Sequence, residues 1–376
     1  MERRKAQFVI IGGGIAGISA GAWLARYGAT ILVERESQPA YHSTGRSVAF
    51  YLEYYGNAVI RALTRASGKF LKAPPQGFSD HPILSPRGSL NIARSDQMEE
   101  LRAAAQVVAS GGGRSQFLSW KEAMALVPVL APEYGAGALL EPDAMDIDIH
   151  ALLQGYLRLF RSDGGALITD AEVTGLECLE GAWEVITPNL RIEAPIVINA
   201  AGAWADTVAQ LAGLPALSIT PLRRSVAVID ALAGLNVEKW PLLNDVGEEF
   251  YVKPDAGRLL LSPADETPSP PCDARPEDLD LALAVDRLET ATTLKPKRLL
   301  QRWAGLRSFA PDRTPVVGFD PKAEGFMWLA GQGGYGIQTS AALGRIAAAL
   351  ASGAEIPADI AEEGVRTADM SPARFQ

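Results

Sequence analysis

Cysteine and histidine are scarce in this chain, which holds two of the first and three of the second. Cys178 and Cys272 lie far apart and without metal-ligand spacing. No disulfide framework and no metal site are expected, and a reducing compartment is. Charge of one sign is nowhere concentrated. The net charge of -9 is spread along the sequence, which favours solubility and gives no sign of nucleic-acid binding. Internal repeats and low-complexity segments are also missing. One long uncharged run exists, Phe8 to Ala25, and the MERRK before it gives a superficial likeness to a signal peptide or a membrane span. A lipid-facing helix gains nothing from the consecutive glycines Gly12, Gly13 and Gly14 near its start. The expectation is a soluble, cytoplasmic protein with no transmembrane segment.

What the chain does have is length and apolar content. Its 376 residues, 48% of them hydrophobic, are more than one core usually serves. The uncharged run fits a different reading. Phe8 to Ile11 is a buried-strand pattern, and Gly12, Gly14 and Gly17 follow in GxGxxG spacing. Ile15 and Ala16 open an apolar helix that runs to about Tyr27 and breaks at Gly28, and Thr30 to Val33 is a second strand ending in Glu34. Strand, glycines, helix, strand and acid in that order form a dinucleotide-binding fingerprint. Glycine lets the backbone turn tightly and approach a pyrophosphate. The helix N-terminus offers free N–H groups, and the carboxylate takes a ribose hydroxyl.

After Arg35 the small and hydrogen-bonding residues Ser43, Thr44, Gly45, Arg46 and Ser47 suit a segment that wraps a polar ligand. Val48 to Tyr55 is aromatic enough to predict a strand entering a buried site. Asn57 to Leu71 reads as a helix stopped by Pro74 and Pro75. An inserted module follows, with strands at Leu90 to Ala93 and Gly137 to Leu140, a helix at Ser95 to Ser110, and a loop tip at Gly111-Gly112-Gly113. Ile149 to Arg161 is an amphipathic helix. Strands are predicted at Ala166 to Thr169, Val173 to Leu179, Ala182 to Thr187 and Ile192 to Asn199, the last running into the bare backbone of Ala200, Ala201 and Gly202. Further strands fall at Ile219 to Ile229, Phe250 to Pro254, Arg258 to Ser262, Trp303 to Phe309, Pro315 to Gly318 and Phe326 to Ala330, with a helix at Asp280 to Thr292. A second glycine-rich loop, Gly331 to Gly336, opens a helix over Ile337 to Ala351. The tail after Pro357 reads as peripheral.

The fingerprint alone suits NAD as well as FAD. The second glycine-rich loop favours a flavin, because a helix N-terminus near the ring stabilises the negative charge that develops on reduction. Five motifs in one order carry a resemblance over nearly the whole chain: GGGIAG, STGRS, VINAAGAWAD, GLRSFAPDRTPVVG from Gly305 to Gly318, and GQGGYGIQTSAALG from Gly331 to Gly344. They resemble the FAD-dependent D-amino-acid oxidase and dehydrogenase family, most closely its D-arginine dehydrogenase branch. The resemblance implies an α/β (α+β overall) fold, in which a Rossmann-like FAD-binding domain (1–75, 147–215 and 310–376) is interleaved with an antiparallel-sheet substrate domain (76–146 and 216–309). It places Glu34 and Arg35 at the adenosine ribose and Val173 at the adenine. Tyr41, His42, Ser43, Thr44, Gly45, Arg46, Ser47 and Val48 fall at the diphosphate and flavin, with Ala201 and Gly202 also in cofactor-binding positions. Gly331, Gln332, Gly333, Gly336 and Ile337 face the isoalloxazine.

The same resemblance implies oxidation of an α-amino acid by hydride transfer from Cα to flavin N5, giving an imino acid and then a 2-oxo acid. Arg307 and Arg224 match a carboxylate clamp, for which guanidinium is suited because its fork binds a carboxylate bidentately. Tyr55 and Tyr251 match substrate-contacting tyrosines, and Gly334 offers its carbonyl to the amine. The chain departs from the D-arginine branch at Phe50, Leu52 and Ser89, which stand where that branch has histidine, threonine and glutamate. A guanidinium left without its carboxylate is costly, so the expected substrate is a D-amino acid with a neutral or apolar side chain. Glu53 is expected to point away from that pocket. Two alternatives stay open: a secondary-amine or N-methyl-amino-acid oxidase of the sarcosine or glycine oxidase type, and a non-catalytic flavin-binding subunit of a larger complex. The electron acceptor, quinone or oxygen, is not legible.

Overall fold

The computed structural model describes residues 2–231 and 234–375. Strands Phe8–Ile11 and Thr30–Val33 are apolar but for Thr30 and fully buried, as strands covered on both faces of a parallel sheet must be. They sit inside a six-stranded sheet in the order Ala166–Ile168, Thr30–Val33, Phe8–Ile11, Ile196–Asn199, Phe326–Ala330 and Val316–Phe319. The first five are parallel and the last is antiparallel. Strand alternation sends Phe8, Ile10 and Leu32 into one core with helices Ile15–Leu24, Ile149–Ser162 and Ser340–Ser352. It sends Val9, Ile11, Ile31 and Val33 the other way, onto Trp183, Val185 and Ile192. Those belong to a four-stranded sheet in the order Glu2–Lys5, Leu190–Ala194, Ala182–Ile186, Gly175–Leu179.

A nine-stranded, mostly antiparallel sheet faces this assembly. Its longest pairing joins Thr220–Asp230 to Gln301–Phe309 over nine registered residue pairs. Leu90, Ile92, Val252, Leu259 and Leu261 pack on one face against Ala123 of helix Trp120–Leu126 and Ala284 and Leu288 of helix Asp278–Ala291. The opposite face presents Arg224, Val226 and Tyr251 to a cleft. A small sheet, Phe50–Tyr51, Met145–Ile147 and Leu84–Pro86, lies beside it. The fold is therefore mixed α/β. No helix among the described residues is long and apolar enough to cross a membrane.

Several expectations need correction. The single strand over Ile192 to Asn199 is two strands, Leu190–Ala194 and Ile196–Asn199, which join different sheets. Pro195 between them lacks an N–H to continue the ladder. Within Val48 to Tyr55 only Phe50–Tyr51 is strand, and the rest is irregular chain and a turn at Glu53 and Tyr54. The helix expected from Ile337 begins at Ser340. Glu2–Lys5 forms a strand that the sequence did not suggest. The tail after Pro357 is not peripheral: Ile360, Val365 and Met370 enter the main core, and Arg374 pairs with Asp312 at 2.8 Å.

Candidate active site

The cleft runs along the carboxyl ends of the parallel strands and under the nine-stranded sheet, the usual ligand position in open α/β sheets. It encloses about 1570 Å³, open solvent at its mouth included. At its nucleotide end the fingerprint is built as a backbone cradle. Gly12 has φ +108°, and a Cβ there would lie 2.5 Å from the Ala200 carbonyl oxygen. A Cβ on Gly17 would lie 2.0 Å from the Gly12 oxygen, so that glycine lets the helix cross the strand. Glu34 is buried, and its two carboxylate oxygens accept from the Gly13 N–H at 2.6 Å and the Glu36 N–H at 2.9 Å. Thr44 Oγ1 accepts from the Ile15 N–H at 3.0 Å.

Gly12, Gly14, Ile15, Ala16, Glu34, Arg35, Tyr41, His42, Ser43, Thr44, Arg46, Ser47, Val48, Val173, Ala201, Gly202, Gln332, Gly333, Gly336 and Ile337 all line this one cleft. Gly17, Gly45 and Gly331 lie behind it. Gly45 is packed on the Ala40 oxygen and Gly331 adopts a φ of +73°. Arg46 is largely engaged by protein: its guanidinium donates to the carbonyls of Ala274 at 3.0 Å and Ala304 at 3.1 Å and pairs with Asp273. The sequence reading missed Trp204, although the tryptophan in VINAAGAWAD was visible. Arg35 lies 5.0 Å above its ring, and the His42 ring packs 4.8 Å away.

The substrate end is made of side chains. Arg223 and Arg224 are consecutive on one strand, so their side chains take opposite faces. Arg223 pairs with Glu277 and with Asp280 at 2.9 Å. Arg224 faces the cleft, buried, beside Arg307 on the neighbouring strand, where Leu222 is the register partner of Arg307. Burial, then the Arg307 charge, pushes the Arg224 pKa down. Burial also works against Arg307, but the nearby Tyr55, Tyr251 and Glu266 outweigh it and the pKa rises. Glu266, which also escaped the sequence reading, accepts from Arg224 at 3.2 Å and from Arg313 at 2.9 and 3.0 Å. Burial disfavours its charge, yet Arg313, Arg224 and Arg307 hold its carboxyl below the usual range. Among the described residues Arg307 has no ion-pair partner. It packs against the bare Gly334, where a Cβ would lie 2.8 Å from Nη1.

Phe50, Leu52, Ser89 and Tyr55 are not among the residues that line the cleft. Phe50 lies 5.8 Å from the Lys253 ammonium, Leu52 is tied by its N–H to Gln338 Oε1 at 3.2 Å, and Ser89 accepts from Asn244 Nδ2 at 3.1 Å. Glu53 accepts from Tyr51 at 2.7 Å and pairs with Lys72 at 3.0 Å, away from the clamp.

Among the described residues three buried side-chain nitrogens in the cleft, His42 Nδ1, Arg224 Nε and Gln332 Nε2, have no protein partner. With the cradle at Gly12 and Glu34 they fit a long ligand that carries hydrogen-bonding groups at both ends, as FAD does. The fold is shared with glycine oxidase from Geobacillus kaustophilus, at a TM-score of 0.83 and 21% identity, covering 94% of this chain and 96% of that one. It is likewise shared with L-proline dehydrogenase from P. horikoshii, at 0.82 and 20%, covering 99% and 98%. Mitochondrial dimethylglycine dehydrogenase from Homo sapiens is 23% identical over 391 residues, which are 95% of this chain and 44% of that protein. The chain thus spans less than half the length of that relative. None of these three is named a D-arginine dehydrogenase, and the resemblance is shown for the family alone. Residues 7–350 match the model of the DAO family, described as FAD dependent oxidoreductase, and the chain belongs to that family, with FAD as its cofactor.

Proposed function

We propose that this chain oxidises a neutral α-amino acid of D configuration, removing hydride from the carbon that bears both amine and carboxylate. The observation that carries the reading is Arg307, a guanidinium with no ion-pair partner among the described residues, set beside Arg224 at the end of a dinucleotide cleft. A substrate carboxylate supplies the missing anion, held by the guanidinium forks. The hydroxyls of Tyr55 and Tyr251 add hydrogen bonds, and the Gly334 carbonyl accepts from the amine. When bound, FAD supplies the two-electron acceptor. The chain's own task is to fix the carboxylate, keep the Cα–H pointed along the cleft and hold the amine neutral, so that its lone pair forms the C=N bond as the hydride leaves. The resulting iminium loses a proton to give the imino acid, which water hydrolyses to a 2-oxo acid and ammonia.

Neutrality of the side chain rests on the cleft's charges. Its lining carboxylates are Glu34 and Glu172, both at the nucleotide end, where Glu172 pairs with Arg35. A cationic side chain at the clamp end meets Arg224 and Arg307, and the Glu266 carboxylate beside them is already paired with Arg224 and Arg313. A second reading, oxidation of an N-alkylated amino acid, is supported by relatives named for dimethylglycine and L-proline. A clamp without a function would be unusual in a non-catalytic subunit, which speaks against that alternative. Anaerobic mixing of the holoenzyme with neutral D-amino acids, D-arginine, sarcosine and proline tests both readings. Bleaching of the flavin by neutral D-amino acids is expected; faster bleaching by D-arginine overturns the neutral pocket, and bleaching by secondary amines alone selects the second reading.

A further inference from the structure

Three consecutive glycines, Gly111-Gly112-Gly113, end helix Met98–Ser110, and they are glycine for different reasons. Gly112 has φ +79° and open space where a Cβ would stand, with nothing within 4 Å, so it serves the turn. Gly111 and Gly113 are not in the left-handed region. A Cβ on either would lie 2.3 Å and 2.2 Å, respectively, from the ring of Tyr54. The two flanking glycines therefore form a socket for that ring, and the Tyr54 hydroxyl donates to the Gly111 carbonyl at 3.3 Å.

Tyr54 sits at the tip of the turn that carries Tyr55. Protein fixes the two ends of that turn: the Leu52 N–H donates to Gln338 Oε1 at 3.2 Å, and Arg61 donates to the Gly56 carbonyl at 2.6 Å. Between them Tyr55 packs at 5.1 Å from the Tyr335 ring and in one cluster with Leu222, the register partner of Arg307. We infer that Tyr54, seated in the Gly111–Gly113 socket, is a positioning residue for the carboxylate clamp: it fixes the tip of the turn so that the Tyr55 hydroxyl meets Arg307. The socket belongs to a segment more than fifty residues further along the chain. It couples the end of helix Met98–Ser110 to the site. This inference rests on the clamp proposed above.

A socket that sets clamp geometry changes carboxylate binding in the ground state and the transition state alike. Its loss raises KM and leaves kcat in place, because uniform binding is what disappears. The test uses holoenzyme and four variants, Gly113→Ala, Tyr54→Ala, Tyr54→Phe and Arg307→Met. Each is measured for flavin retention, for the Kd of acetate read from the bound-flavin spectrum, and for KM and kcat with the best substrate of the panel. Gly113→Ala and Tyr54→Ala are expected to weaken acetate and raise KM by roughly tenfold or more, the scale of a displaced positioning group, with kcat nearly unchanged. Tyr54→Phe keeps the ring and restores near-wild-type binding. Unchanged acetate binding in Gly113→Ala and Tyr54→Ala overturns the inference, as does a Tyr54→Phe variant as weak as Tyr54→Ala, or a fall in kcat at constant KM. Gly113→Ala adds a single methyl at a loop position and keeps the test decisive if Tyr54→Ala does not fold. Wild-type protein that binds no acetate, or Arg307→Met that binds it normally, sinks the clamp reading itself and is distinguishable from both.

Discussion

The two ends of the cleft are built from different materials. The nucleotide end is made largely of backbone, its fingerprint supplied by one short stretch of sequence, Gly12 to Glu34. Gly12, Gly17 and Glu34 shape it through close approach and through N–H groups already aimed. The clamp end is made of long side chains on strands that meet only after the chain has crossed between sheets, with Arg224 and Arg307 brought together by the Thr220–Asp230 and Gln301–Phe309 ladder. Shape therefore governs the first end and charge the second. Substitutions at one should leave the property of the other intact.

The largest effect is expected at the nucleotide end. Gly12→Val places a β-branched side chain at φ +108° with its Cβ 2.5 Å from the Ala200 oxygen. The expected outcome is purified protein without flavin, measured as the flavin-to-protein absorbance ratio. A variant that keeps a full complement of FAD breaks the claim that bare backbone makes this end.

Next comes Arg307→Met. Two charge-assisted hydrogen bonds at about 1.5–3 kcal/mol each correspond to roughly 10²–10⁴-fold in kcat/KM. Steady-state kinetics should show that loss while the flavin ratio stays at the wild-type value. Loss of flavin together with activity would merge the two ends and remove the distinction.

This difference also explains what was legible in the sequence. Glycine spacing and a terminal acid act locally, so the fingerprint and its strands were readable from Phe8 to Glu34. The clamp was legible only through a motif resemblance, because nothing local distinguishes Arg224 from Arg223. Glu266 was invisible for the same reason: its role depends on two arginines distant in sequence. The orientation expected for Glu53, away from Phe50 and Leu52, assumed a continuous alternating strand. The chain turns after Tyr51, and Ser89 enters a different sheet from Phe50. Pro195, with no N–H, marked a change of sheet that hydrophobicity alone ran straight through.

The paired arginines give a smaller test of the same contrast. Arg223 is held by Glu277 and Asp280, whose side chains are 63% and 19% exposed. Arg223→Met should lower the melting temperature by a few degrees, about the effect of 1 kcal/mol in a chain of this size. It should leave KM near wild type. Arg224→Met should do the reverse, raising KM with little thermal change. A KM effect from Arg223→Met would mean that strand alternation does not separate the two roles.

The smallest expected effect is electrostatic and depends on pH. The Glu266 carboxyl is held low in the folded chain, with the arginines outweighing burial. A carboxylate with a depressed folded pKa stabilises the protein above its unfolded pKa, near 4.3 for glutamate, and that contribution fades as pH falls through the folded value. Wild type should therefore exceed Glu266→Gln in stability by a constant margin from neutrality down to about pH 4.3, and the margin should shrink below that in denaturant titrations. At neutral pH the same substitution removes the anion that Arg224 shares with Arg313, so a substrate carboxylate meets a more positive clamp. KM should fall or stay level, and flavin retention should not change. A rise in KM would show that Glu266 orients Arg224 more than it competes for it, making the clamp end depend on geometry as the nucleotide end does.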